Sequence, residues 1–305
     1  MSEFRRGRKQ TGDEPRTGRP KTATTPEIVD KVHDMVLDDR RVKVHEIEEA
    51  LGISRERAFH ILHNELGLKK LSARWVPHLL NPEQKRIRVR SSAKCSEIFN
   101  RDPKVLKRRL VTVDETWIHH YTPESKRQSK QWIGHGEAVP KKARTTHSAD
   151  KVMASVFWDV KGVLLIDYLE HGKTVTGQYY AALLDRLKSA IQEKRPGMAK
   201  KKVLFLHDNA PAHSSVVAQQ KLAELRFEIL PHPAYSPDLA PSDFHLFPNL
   251  KSFLAGKRFR SNEEVIDAVD GYLEDLEESH FQAGIEKQEK RWAKCIELRG
   301  DYVEK

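Results

Sequence analysis

Cysteine is almost missing from this chain: Cys95 and Cys295 are the only two in 305 residues, and they stand far apart. Two distant thiols exclude the disulfide framework of a small secreted domain and point to a reducing compartment. Long apolar runs are missing too. None approaches the length that spans a bilayer, so no transmembrane helix is expected. The opening stretch MSEFRRGRKQ has no apolar core of a secretory signal, so nothing suggests export. Internal repeats and long low-complexity tracts are also lacking.

What the chain does have is charge. Charged residues make up 32% and hydrophobic residues 38%, a balance that supports a folded core rather than disorder. The net charge is +10. Its cations cluster at Arg5-Arg6-Gly7-Arg8-Lys9, Arg40-Arg41, Lys85-Arg86-Ile87-Arg88, Lys107-Arg108-Arg109 and Lys200-Lys201-Lys202. Each phosphate contact releases counterions, so a nucleic acid is the expected partner, with no membrane and no small-molecule substrate.

Residues 1–25 are polar, basic and rich in Gly, Pro and Thr, and read as a flexible arm. Within it, Gly18-Arg19-Pro20 keeps the backbone narrow, so that Arg19 could enter a DNA minor groove. Residues 26–70 read as a helix-turn-helix DNA-binding domain. Thr25 and Pro26 suit the start of a helix whose Ile28, Val32, Met35 and Val36 share one face. A second helix is expected over 44–51; Gly52-Ile53-Ser54 turns the chain; a third follows over 55–63. Ala58, Phe59, Ile61 and Leu62 are expected to point inward, and Arg55, Arg57, His60 and His63 to face DNA. Residues 71–105 read as a linker, with Pro77 interrupting the apolar Trp75–Leu80 and a helical pattern over 82–99.

From residue 106 to 305 the pattern changes to strand, hairpin, helix, strand, helix, strand, helix, closed by amphipathic helices. That order suits a mixed sheet with helices on its faces, and it is the order of the ribonuclease H-like fold. The fold class expected is therefore multidomain: an all-α helix-turn-helix unit followed by an α/β catalytic domain. Two strands end on acids. Leu110-Val111-Thr112-Val113 runs into Asp114, and Val203-Leu204-Phe205-Leu206 runs through His207 into Asp208. A third acid is expected from the segment Tyr235–Phe247, where Asp238 and Asp243 both qualify. Three crowded carboxylates are tolerable when hard cations neutralise them, and oxygen-only ligands select Mg²⁺, with Mn²⁺ able to substitute. Two such ions can serve both the attacking and the leaving oxygen of a phosphodiester. His207 and His213 flank Asp208 and are expected to be supporting, phosphate-contacting or structural groups.

At these residues the chain resembles the mariner-type transposases. The carriers are Val113-Asp114-Glu115-Thr116-Trp117, His207-Asp208-Asn209-Ala210-Pro211-Ala212-His213 and Tyr235-Ser236-Pro237-Asp238-Leu239-Ala240-Pro241-Ser242-Asp243. In that family 34 residues separate the second and third aspartates, as they do Asp208 and Asp243 here. The resemblance therefore selects Asp243 over Asp238. Trp75–Leu80 resembles the family's linker motif, Gly18-Arg19-Pro20 its interdomain arm, and Arg291-Trp292 with Gly300-Asp301-Tyr302 its C-terminal segment.

The resemblance implies a transposase of the two-metal endonuclease and strand-transferase type. Asp114, Asp208 and Asp243 would be its catalytic and metal-holding triad. Its partners would be double-stranded DNA, at inverted-repeat ends and TA target sites, and a second copy in a homodimer. DNA as substrate, with the basic arm, implies a nuclear location. Two departures are notable. The family carries two helix-turn-helix units, and this chain has room for one. Leu79 stands where the linker motif usually has an acid. A second reading is a transposase-derived DNA-binding protein, or residual nuclease, that no longer transposes. A single helix-turn-helix unit favours that reading, and retention of three aspartates opposes it.

Overall fold

Glycine and proline mark where this chain turns, and apolar alternation decides what lies between. The computed structural model describes residues 24–103, 107–199 and 201–303. The expected arm contact Arg19 lies outside them. The chain divides into two compact units, Met1–Trp75 and Val76–Lys305.

The smaller unit holds α1 (Pro26–Asp38), α2 (Val44–Leu51) and α3 (Arg55–His60), the last continuing as a π-helical turn over Ile61–Glu65. Gly52 ends α2 in the left-handed region at φ 62°, a conformation a side chain resists. Ser54 then caps α3, its Oγ accepting from Arg57 N at 3.3 Å. Val32, Ile47, Ile53, Ala58 and Ile61 form the core. Phe59 does not join it. It is 54% exposed, its ring against His63 at 4.1 Å. Ala58 and Ile61 already fill the narrow stripe that three short helices share, and Phe59 lies about 100° round the helix from Ala58.

In the larger unit α4 (Pro82–Arg101) starts with a reciprocal cap. Gln84 N donates to Asn81 Oδ1 at 2.8 Å, and Asn81 N to Gln84 Oε1 at 2.9 Å. The sheet follows: β1 (Leu110–His119), β2 (Lys151–Asp159) and β3 (Gly162–Leu169), then α5 (Gly177–Lys194), β4 (Leu204–Leu206), α6 (Val216–Glu224) and β5 (Glu228–Ile229). A π-helical turn (Ser242–Leu246) leads into α7 (Phe247–Leu254), and α8 (Asn262–Glu274) and α9 (Glu278–Glu297) complete the unit. The strand order is β3-β2-β1-β4-β5, with β1 parallel to β4 and antiparallel to β2.

Period-two alternation splits the sheet's side chains into two cores. Val111, Val113, Phe157 and Phe205 pack against α5 and α6 through Tyr180, Leu184, Leu187 and Leu222. Leu110, Ile118, Trp158, Leu204 and Leu206 pack on the other face against Phe247, Leu250, Ile285 and Trp292. The helix expected within the linker belongs to this second core: Phe99 of α4 meets Trp292 of α9 edge-on at 6.0 Å. Cys95 and Cys295 are buried free thiols. Among the described residues no helix is long and apolar enough to cross a membrane.

Candidate active site

Register brings the first two aspartates together. In the parallel pair, Leu110 faces Leu204 and Thr112 faces Leu206. Asp114 stands two residues further along β1 and Asp208 two residues past the end of β4, close enough for the Asp208 charge to raise Asp114. The even positions of β1 look toward α7 and α9, so Asp114 leaves the sheet on that face. Asp243 meets it there from the π-helical turn. Such wide turns occur often at functional sites because they re-aim side chains. This one is anchored by Trp158 of β2, whose indole N–H donates to Ser242 Oγ at 3.0 Å.

The electrostatics register the crowding. Burial pushes the Asp114 carboxyl well above its ordinary range, and the charges of Asp243, Glu115 and Asp208 push it further; the Glu115 N–H bond at 2.9 Å offsets part of this. Asp243 is also raised, by burial and by Asp208, against the opposing pull of its hydrogen bond with Asp114 and of Lys251. Asp208 goes the other way. Burial raises it, but the bonds from His213 and Ala210 N hold it below its ordinary value.

His213 is the exceptional neighbour. It is 1% exposed, with Nδ1 at 2.6 Å from Asp208 Oδ1 and Nε2 at 3.2 Å from Glu115 Oε1. Burial pulls its pKa down, but the two carboxylates outweigh that and raise it to about 9. Its ring lies 4.0 Å from that of Tyr180, whose hydroxyl meets His207 Nδ1 at 3.1 Å. His207, disfavoured as a cation by burial and by His213, is lowered to about 4.

Carboxylate oxygens that repel each other in this way are the donor set that hard divalent cations take. Among the described residues no three His, Cys, Asp or Glu side chains form a ready-made metal cage. Asp114 and Asp243 are both raised by burial, and Asp208 is held to His213. The donor set, three carboxylates of which two are raised by burial, fits a hard divalent cation. A cleft of about 950 Å³ lies elsewhere, around the β2–β3 turn and the start of β1. It is lined by Lys107, Arg108, Lys161 and Arg195, with Arg195 bound to buried Asp159.

Asp238, the rival third acid, has a different environment. Arg88 of α4, 0% exposed, grips both its oxygens at 2.9 and 2.6 Å and also donates to Ser236 Oγ and Gly300 O. Val303 N adds a bond at 2.8 Å. Arg88, counted by sequence within a surface basic cluster, is thus an interior residue. Neither this pair nor the His213 bridge had a local signal beyond the presence of the residues in their motifs. In the smaller unit Arg55 is exposed, Arg57 donates to Thr24 Oγ1 at 3.1 Å, His60 lies 3.9 Å from Glu65, and His63 meets Phe59.

Comparison with known proteins agrees with this frame. Residues 122–201 match the family described as "Transposase (partial DDE domain)", a segment between Asp114 and Asp208 that includes neither. The chain is 37% identical over 262 residues to the Mariner Mos1 transposase of Drosophila mauritiana, covering 85% of this chain and 74% of that protein. It is 32% identical over 305 residues to the human histone-lysine N-methyltransferase SETMAR, covering all of this chain but only 43% of that longer protein. Among solved structures, the Mos1 mariner paired end complex with Mn aligns with a TM-score of 0.79 at 34% identity, over 99% of this chain and 86% of that one. The Mos1 catalytic domain aligns with a TM-score of 0.63 at 36% identity, over 75% of this chain and all of that one.

Proposed function

The chain belongs to the mariner family of transposases, and on that footing we propose that it is a metal-dependent DNA transposase with Asp114, Asp208 and Asp243 as its nuclease centre. The larger unit is then a ribonuclease H-like catalytic domain. The smaller is a helix-turn-helix that presents Arg55, with Arg57, His60 and His63, to DNA. The observation that supports the reading is the parallel pairing of β1 with β4, the two strands that lead to Asp114 and Asp208, together with the Trp158 bond to Ser242 beside Asp243.

The three carboxylates would hold Mg²⁺, or Mn²⁺ in its place, two ions per site; when bound, these supply charge stabilisation and an activated oxygen nucleophile for phosphodiester chemistry. Solved Mos1 complexes with Mg and with Mn support that choice. The chain's own residues do the rest. Asp114 and Asp243, whose carboxyls burial raises, would supply oxygens to the bound cation. Asp208 is kept ionised by His213 and Ala210 N. The substrate is double-stranded DNA at transposon ends, followed by strand transfer into TA sites. A homodimer is supported by the paired-end assembly of the solved relatives. The place of action is the nucleus.

The test is strand cleavage of supercoiled and inverted-repeat DNA in Mn²⁺ and in Mg²⁺ by the intact chain and by Asp208→Asn. Metal-dependent cleavage lost in the variant is the expected result. DNA binding without cleavage by either protein would overturn it in favour of a transposase-derived DNA-binding protein.

A further inference from the structure

Metal-holding carboxylates work only when their own orientation is fixed, and outer hydrogen bonds usually fix it. Asp208 sits on the loop after β4, 43% exposed, where a side chain of its kind is free to turn. Two bonds stop it, and both fall on one oxygen. His213 Nδ1 meets Oδ1 at 2.6 Å, and Ala210 N donates to the same Oδ1 at 2.9 Å. Among the described residues Oδ2 takes no hydrogen bond.

The imidazole is itself fixed. Glu115 Oε1 faces its other nitrogen at 3.2 Å, and Tyr180, 0% exposed, lies against the ring. The His213 backbone is pinned from both sides: its N–H donates to Ala210 O at 2.9 Å, and its carbonyl accepts from Gln219 Nε2 at 2.9 Å. Glu115 is adjacent to Asp114 but on the opposite face of β1, the face toward α5. The ring therefore ties the loop that carries Asp208 to the strand that carries Asp114.

We propose that His213 is a positioning residue for cation binding: braced by Glu115, it anchors Asp208 through Oδ1 and leaves Oδ2 turned free for a divalent ion shared with Asp114 and Asp243. This rests on the nuclease-centre reading above. The brace fixes the distance between two ligands on separate elements, which neither Ala210 N nor the strand pairing does alone.

The experiment is Mn²⁺ binding to the full chain at fixed pH, followed by electron paramagnetic resonance of the free ion, with thermal melting run alongside. His213→Ala should weaken Mn²⁺ binding about 10- to 100-fold. His213→Asn, whose amide can still donate to Asp208, should keep most of the affinity. In cleavage assays His213→Ala should need more Mn²⁺ for half-maximal rate yet regain rate when Mn²⁺ saturates. A folded His213→Ala with unchanged affinity overturns the proposal, as does His213→Asn binding no better than His213→Ala. If His213→Ala does not fold, His213→Leu, which keeps volume against Tyr180 without a donor, takes its place with the same two outcomes. Asp208→Asn separates the proposal from the reading beneath it. Loss of Mn²⁺ binding in that variant with none in the His213 variants overturns the brace alone; Mn²⁺ retained by Asp208→Asn overturns the metal site itself.

Discussion

Asp238 and Asp243 come from one stretch of chain and meet opposite fates. Asp238 receives a fully buried guanidinium on both oxygens and a backbone N–H besides. Asp243 is set against Asp114 and near Asp208, with Lys251 as the cation that lowers it. One carboxylate is neutralised by the fold, the other is left for something the fold does not contain. A buried or half-buried acid with its own cation is a structural joint; one held among other acids is a site.

The sharpest way to break that contrast is to neutralise each in turn. Asp243→Asn should remove metal-dependent cleavage by at least about 10³-fold, roughly 4 kcal/mol in barrier, and leave folding intact. Asp238→Asn should do the reverse, lowering the melting temperature while the folded fraction still cleaves. Equal loss of cleavage in both, measured on folded protein, would erase the distinction. Next in size is the other side of the joint. Arg88→Met takes both guanidinium bonds from the Asp238 carboxylate, whose remaining bond among the described residues comes from Val303 N, and losing one partner of a buried pair costs about 3–5 kcal/mol. Urea unfolding would measure it; a change under 1 kcal/mol, well below that range, would mean that Asp238 is solvated after all.

How much of this was legible beforehand follows from how far each cause lies along the chain. Apolar strands that stop at an acid are local, so Asp114 and Asp208 could be picked out, and so could the helix start at Ser54. The choice between Asp238 and Asp243 was not local. Its physical basis is Arg88, 150 positions from Asp238 and hidden within a basic run that reads as surface. Separation along the chain likewise hid the bridge from His213 to Glu115, 98 positions away. Phe59 was misplaced for a different reason: helical periodicity names a broad face, while from this stretch the small core takes Ala58 and Ile61, with Leu62 packed against it.

A smaller effect tests whether the third acid's turn is held as rigidly as the joint beside it. A Cβ on Gly284 of α9 would lie 2.5 Å from His245 Cδ2 and 2.9 Å from the Trp158 ring. His245 belongs to the turn that carries Asp243, and Trp158 anchors that turn at Ser242. Gly284→Ala should cost about 1–3 kcal/mol by overpacking. Its cleavage rate should fall further than its folded fraction does, because Asp243 shifts with the turn. Melting and rate measured on one preparation would show it; a rate that merely tracks the folded fraction would mean the turn yields without moving Asp243.

The most delicate consequence concerns metal-free protein, where the unneutralised side of the contrast should appear as lost stability. Burial, Asp243, Glu115 and Asp208 raise the Asp114 carboxyl above its unfolded value. The folded state therefore holds this proton more tightly than the unfolded chain. Its stabilising contribution is complete below the ordinary carboxylate range and is lost as pH rises through the raised folded value. Asp114→Asn cannot titrate, so it escapes that loss. Urea midpoints in a chelator should then favour Asp114→Asn over the native chain by a margin that widens with pH, while Mg²⁺ raises the native midpoint and leaves the variant's where it was. A margin that stays level with pH would mean that Asp114 is already neutralised from within the fold, as Asp238 is.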